Sequence, residues 1–383
     1  MGALLLGACG GEDTKADDEA GNGDDLSPPV AEVDASVSVP SPVEDAGQDA
    51  GTTTGRWQPG QKIPASEMWA SGSDGASREW AKLFGDWRGR PVTSTWLNLL
   101  FLPWDWLATP GLLSTMDDEN KGQFKVWEQW GDFQGVVALS MSMAGTSEVT
   151  QEQYDESMRQ CATGAFDPAW KAFARNAKAA GRTGENTIVS LAQEFNGAWF
   201  PWNPKNVGLQ VWTDCWKRVY TAIHSESDLK VSWVFSAVPK SAQGSDLLAV
   251  PNVWDAYPGD EYVDVLGLTR YDFQDFGPST NTDWRQTCDN EQDICRAAEL
   301  AREHGKKLAV IEWSIQRNEE GYGDNSNFVQ MMFGFFADNR DVLLLENNFN
   351  HYGDGGDQNI WYLYPRTTDN VRSSDKYKEL YAP

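Results

Sequence analysis

From about Trp57 onward, short apolar runs alternate with amphipathic stretches, and the alternation continues to the end of the chain. The runs at 67–70, 92–97, 135–141, 187–192, 230–235, 263–268, 307–311 and 342–346 have the length of strands. Several are branched and apolar throughout rather than alternating, which is how strands covered on both faces read. Between them, 169–180, 211–224, 294–304 and 327–338 place apolar residues at helical spacing, with Gly or Asp at their ends. Eight strand-helix units in this order predict an α/β fold, a single (β/α)8 barrel over residues 56–383. A chain of 383 residues could instead hold two average domains.

Two glutamates stand where an apolar run meets polar residues. Glu194 lies in Leu-Ala-Gln-Glu-Phe-Asn-Gly-Ala-Trp-Phe-Pro-Trp, and Glu312 in Leu-Ala-Val-Ile-Glu-Trp-Ser. Both are expected to leave the sheet at the C-terminal end of a strand. That rim carries the active site in barrel enzymes, so side chains far apart in the chain can converge there. A pair of carboxyls on one rim is the machinery of glycoside hydrolysis, one acting as acid/base and the other as nucleophile or base.

Composition narrows the partners. The formal charge of −26 disfavours nucleic-acid phosphates and anionic lipid surfaces, leaving a neutral polymer as the easier partner. Nineteen tryptophans exceed what a core of this size usually needs, although about half are expected to pack the interior. The rest offer flat faces for sugar rings. The three histidines, His224, His304 and His351, share no metal or triad spacing, so zinc hydrolysis and serine-histidine catalysis are set aside and no metal or organic cofactor is expected.

Residues 4–9, Leu-Leu-Leu-Gly-Ala-Cys, resemble the lipobox of bacterial lipoproteins, with Cys9 as the lipidated residue and 1–9 as a signal remnant. The apolar stretch is short and no Lys or Arg precedes it, so the true start is expected upstream of Met1; a chance Ala-Cys is the alternative. Residues 10–55 are acidic, rich in Gly, Pro, Ser and Thr and almost free of large apolar residues, the composition of a disordered tether. The expectation is an exported bacterial lipoprotein of the cell envelope or its exterior, touching a membrane only through its lipid and otherwise monomeric. Four cysteines remain, an even number, which in an exported protein suggests bridges between Cys288 and Cys295 and between Cys161 and Cys215; reduced, buried thiols are the alternative.

The segment Gln193-Glu194-Phe195-Asn196-Gly197-Ala198-Trp199-Phe200-Pro201-Trp202 resembles the His-Glu-x-Asn-Gly-x-Trp-x-x-Trp signature of glycoside hydrolase family 26. Tyr257 to Asp264, followed by Gly267 and Tyr271-Asp272, resembles that family's sixth-strand region, and Glu312-Trp313 its seventh-strand nucleophile. The resemblance covers most of 60–380 and implies a retaining endo-β-1,4-glycanase of the clan A barrel, mannan-type above all. Relatives act on mixed-linkage glucan and xylan, and those substrates stay open. By the same resemblance Glu194 is the acid/base, Glu312 the nucleophile, Trp199 a wall of the subsite beside the scissile bond, and Tyr271 a hydrogen-bond donor to the nucleophile.

Gln193 and Asn196 complete the expected substrate-binding set, with Trp361 as a further sugar platform. Asn347 and Asn348 are candidates either for binding hydroxyls or for forming a turn. The sequence departs from the family pattern where Gln193 replaces His and Ser190-Leu191 replaces Arg-Pro. A barrel that binds glycan without cleaving it is therefore a competing reading, as is an envelope scaffold that only spaces a partner.

Overall fold

The computed structural model describes residues 56–74, 77–99, 126–144, 150–238, 248–250, 252–273, 283–287, 292–317, 321–351 and 361–383. Its centre is a closed, all-parallel barrel in sequential order: β1 (Ala70–Asp74), β2 (Ser94–Leu99), β3 (Val136–Met141), β4 (Thr187–Leu191), β5 (Lys230–Ser236), β6 (Val265–Tyr271), β7 (Lys307–Ser314) and β8 (Leu343–Asn348). β8 closes on β1 through the pairs Ala70 with Leu345 and Ser71 with Glu346. The expected (β/α)8 barrel is thus the observed architecture.

Two apolar layers explain why the strands read as continuous hydrophobic runs. Trp96, Ala138, Ile188, Val234, Val265, Ala309, Ile311 and Leu345 form a lumen cluster inside the barrel. A larger cluster fills the space between the sheet and the surrounding helices, among them Arg78–Arg88, Asp167–Ala179, Leu209–His224, Ile294–Glu303, Ser326–Asp338 and Val371–Tyr381. Eleven tryptophans are buried among the described residues, so the core takes somewhat more than half of them.

The first strand differs from expectation. Residues 65–67 form a short 3-10 helix and β1 begins only at Ala70. Its sequence, Ala-Ser-Gly-Ser-Asp, lacks the branched apolar residues that mark the other strands, because small side chains there admit close backbone contact: a Cβ on Gly72 would lie 1.7 Å from the Ser94 carbonyl oxygen. β6 and β7 run three residues further than expected, to Tyr271 and Ser314, so Tyr271 and Glu312 lie within strands.

Barrel closure carries a buried carboxyl. Glu346 is fully enclosed on the helix side of β8, where it accepts hydrogen bonds from Ser71, from the Trp313 indole and from the Tyr381 hydroxyl at 2.9 Å. Ser71 also accepts from the Arg88 guanidinium at 2.8 Å, which ties the first helix, β1, β8 and the last helix into one polar knot. Three donors and a nearby cation are what a buried carboxylate requires.

Cys161 and Cys215 form the expected disulfide, joining the helices Gln151–Ala162 and Leu209–His224 with 5.0 Å between their Cα atoms. Cys295 is also disulfide-bonded; Cys288 lies outside the described residues, as does Cys9. The tether over 10–55 likewise lies outside them. No helix among the described residues is long and apolar enough to cross a membrane.

Candidate active site

A regular strand sends successive side chains to opposite faces, so two neighbouring residues can both enter a cleft only where the strand pattern breaks. β4 breaks just past its end. Ala192 has φ 45° and Glu194 φ 57°, left-handed conformations that non-glycine residues adopt at a cost of about 1–3 kcal/mol each. The turn is held from three sides: Ala192 N donates to Met141 O at 2.8 Å, Glu194 N donates to Val234 O at 3.0 Å, and the Trp202 indole donates to Gln193 O at 2.9 Å. The Gln193 and Glu194 side chains both turn inward as a result, with 2% and 7% exposure.

β7 breaks by a bulge. Val310 pairs with the strand β8 and with Leu268, and the next β6 residue, Thr269, pairs with Glu312, leaving Ile311 as the extra residue. Ile311 then sits in the lumen cluster while Glu312 faces the cleft above it. Bulges next to active sites re-aim a side chain in this way.

The two glutamates meet through shared neighbours. Glu194 accepts from the Thr269 hydroxyl on one oxygen and from the Trp199 indole at 2.8 Å on the other. Glu312 accepts from the Gln193 amide and from the Tyr271 hydroxyl. Gln193 is the chain neighbour of Glu194, and Thr269 pairs across the sheet with Glu312, so each carboxyl is bound by a residue adjacent to the other.

Burial pushes both carboxyls up. For Glu312 the charge of Glu194 adds to burial and carries it to about 8, against the opposing bonds from Tyr271 and Gln193. The pair therefore shares one proton near neutrality, since two charges cannot be sustained in one enclosed site. The partners favour that proton on Glu194. Glu194 meets one donor-only partner, the Trp199 indole, and the Thr269 hydroxyl, which can accept its proton, whereas Glu312 meets the more acidic Tyr271 phenol and the Gln193 NH2, which cannot accept at all. Burial and the fields of Glu312 and Glu194 hold the Tyr271 phenol well above its usual range, so it remains a donor.

Trp199 is partly buried and stands over Gly197, where a Cβ would lie 2.3 Å from ring atoms. Only glycine admits this approach. Gly197→Ala is expected to displace the indole from Glu194 and lower kcat/KM on the order of 10–100-fold with little change in melting temperature, which a kinetic and thermal comparison would check. Trp361 donates to Gln316 and packs edge-on against Tyr271, with centroids 6.1 Å apart, so it borders the same cleft.

Other expected residues are used differently. Asn196 is fully buried and spends its amide on the backbone of Ser236, donating to its carbonyl at 2.9 Å and accepting from its N–H at 2.8 Å; it clamps the Glu194 loop to β5 rather than reaching the cleft. Phe195, next in the motif, packs against Trp212 and Trp233 in the outer layer. Asn347 and Asn348 belong to β8, not to a turn: Asn347 accepts from Ser94 at 2.6 Å and Asn348 donates to Trp313 O at 3.0 Å.

Sequence reasoning missed Asp74, Trp96, Ser140 and Thr269. Asp74 ends β1, accepts from Asn350 N at 3.1 Å, and is pushed up to about 7 by burial; its charge in turn raises Glu312. A legible signal existed for Ser140 and Thr269, each a polar residue interrupting an apolar run near its C-terminal end. No Lys, Arg or His among the described residues pairs with Asp74, Glu194 or Glu312, and no cluster among them could hold a metal ion.

A parallel eightfold barrel with two buried carboxyls, each bonded by a neighbour of the other, at its C-terminal rim has the form of a glycoside hydrolase domain. The chain belongs to glycosyl hydrolase family 26, whose model matches residues 121–317. Over 207 residues it is 24% identical to a mannan endo-1,4-beta-mannosidase of Bifidobacterium adolescentis, a match covering 51% of this chain and 20% of that protein. The matched part thus spans about a fifth of that relative's length.

Among solved structures, the fold is similar to GH26C from Muricauda sp. MAR_2010_75, with a TM-score of 0.56 at 16% identity, covering 82% of this chain and 85% of that one. It is also similar to the catalytic domain of the Bacillus sp. JAMB-750 GH26 endo-beta-1,4-mannanase, with a TM-score of 0.56 at 16% identity over 82% and 86% of the two chains.

Proposed function

We propose that this chain is a retaining endo-β-glycanase that hydrolyses a neutral β-1,4-linked polysaccharide, mannan-type first, with Glu194 as acid/base and Glu312 as nucleophile. One observation carries the reading: two buried carboxyls on one barrel rim, each hydrogen-bonded by a residue adjacent to the other, Gln193 to Glu312 and Thr269 to Glu194. In the first step protonated Glu194 gives its proton to the glycosidic oxygen as the bond to C1 breaks, and the Glu312 carboxylate bonds to C1. In the second, Glu194 as carboxylate takes a proton from water, whose oxygen bonds to C1 and releases Glu312.

The mannan-cleaving activities of the similar proteins support mannan as the first substrate to test. Unpaired carboxyls at Asp74, Glu194 and Glu312 disfavour an anionic chain. The Cys9 lipobox and the acidic tether support an exported, lipid-anchored enzyme.

The test is to incubate the protein with mannan, glucomannan, mixed-linkage glucan, xylan and alginate, following reducing ends and the anomer first released by NMR. Cleavage of a neutral β-1,4 glycan with the β anomer formed first is expected, and alginate should stay intact. An α anomer first would exclude double displacement. Retarded migration in affinity gels with no new reducing ends would favour the glycan-binding reading.

A further inference from the structure

The donor that faces Glu312 through Gln193 is the end of a longer line of hydrogen bonds. The Trp96 indole on β2 donates to Ser140 Oγ on β3 at 2.5 Å; Ser140 donates to Gln193 Oε1; and Gln193 Nε2 donates to Glu312 Oε1. Trp96 is 4% exposed, Ser140 fully buried and Gln193 2% exposed. The line therefore runs across three strands and the β4 turn out of contact with bulk water.

Its direction is set from both ends, by a donor-only indole and an acceptor carboxylate. An indole N–H can only donate, so Ser140 accepts from Trp96, and its single hydrogen goes to Gln193 Oε1. A glutamine amide is otherwise ambiguous, presenting either an acceptor oxygen or a donor NH2 to a neighbour. With Ser140 donating to Oε1, the NH2 end is the one turned to Glu312. Were the amide flipped, a carbonyl oxygen would face a carboxylate in an enclosed site, and the nucleophile would lose a charge-assisted bond while gaining a repulsive one.

We propose that Trp96 and Ser140 are positioning residues for the nucleophile: they polarise Gln193 so that Glu312 always meets a donor, fixing the carboxylate's orientation and favouring its charged form. This rests on the function proposed above. An imidazole at position 193 would titrate and could change from donor to acceptor; an amide oriented by a donor-only indole does neither. The device thus separates the nucleophile's ionisation from any other titrating group on that side, leaving Tyr271 as the second donor.

The decisive variants are Ser140→Ala, which frees the amide to flip, Ser140→Thr, which keeps the hydroxyl, and Trp96→Phe, which keeps the bulk and removes the fixed donor. The readout independent of turnover is carboxyl titration by NMR of protein labelled with glutamate-δ-13C. It is done in a Glu194→Gln background so that Glu312 titrates without its proton-sharing neighbour, and the Glu312 resonance is assigned by its loss in Glu312→Gln. Ser140→Ala is expected to raise the Glu312 midpoint by about one pH unit, with Trp96→Phe in the same direction and Ser140→Thr close to the parent.

In the Glu194-intact protein, Ser140→Ala is expected to lower kcat about 10–100-fold with KM within about twofold, to move the acid limb of the pH profile upward, and to keep its melting temperature within a few degrees. An unchanged Glu312 midpoint in Ser140→Ala and Trp96→Phe overturns the proposal. So does a midpoint that Ser140→Thr fails to restore. A shifted midpoint in protein that cleaves none of the polysaccharides leaves the positioning line standing and removes the proposed function instead.

Discussion

Glu312→Ala is expected to reduce polysaccharide hydrolysis by a factor on the order of 10^4 or more, the scale of losing an attacking group. Rescue distinguishes this from misfolding. The alanine leaves a space bordered by Tyr271 and Gln193, where azide can approach C1 from the side Glu312 attacked. With a β-glycoside carrying an activated leaving group, azide should restore turnover and yield the α-glycosyl azide, the product of a single inversion. Undiminished hydrolysis by the alanine variant, or rescue giving the β-azide, would rule out Glu312 as nucleophile. Removing one of two proton-sharing groups also leaves Glu194 without a charged neighbour, so its carboxyl should ionise at lower pH in this variant.

The sequence carried the barrel because both faces of most strands are buried: Thr187–Leu191 and Leu308–Ile311 read as mainly apolar, branched runs without polar alternation, and the glutamates follow them. It did not carry the means by which those glutamates reach the cleft. The left-handed turn at Ala192 and Glu194 uses no glycine, and the bulge at Ile311 leaves no compositional trace, so both looked like simple strand ends. β1 was misplaced for the opposite reason, since Ala-Ser-Gly-Ser-Asp has backbone contacts in place of apolar side chains. Asp74 was therefore invisible as a member of the site. Asn196 was misassigned because a motif states which residues recur and not whether a side chain faces ligand or backbone; here the Ser236 backbone claims it.

Glu194→Gln keeps the shape of the proposed acid/base while removing its proton, and the consequences for bond cleavage and for pH can be separated. Polysaccharide has a poor leaving group that must be protonated, so kcat is expected to fall about 10^2–10^4-fold. A dinitrophenyl β-glycoside leaves without a proton; its first step should be nearly unaffected while water attack slows, giving a burst of phenol equal to the enzyme present. Azide needs no general base and should then accelerate turnover, releasing the β-glycosyl azide with retained configuration, opposite to the product of the Glu312 variant.

The pH profile gives the sign. The proposed mechanism requires one proton in the pair, on Glu194: activity should fail in acid when Glu312 is protonated too, and in base when Glu194 loses its proton. Replacing Glu194 with glutamine should therefore erase the alkaline limb and leave the acid limb within about half a unit, because Glu312 already ionises beside a neutral neighbour in the active form. If the alkaline limb persisted unchanged in this variant, the proton would belong to another group, and Asp74, itself held near 7 by burial on the same rim, would be the residue to replace next.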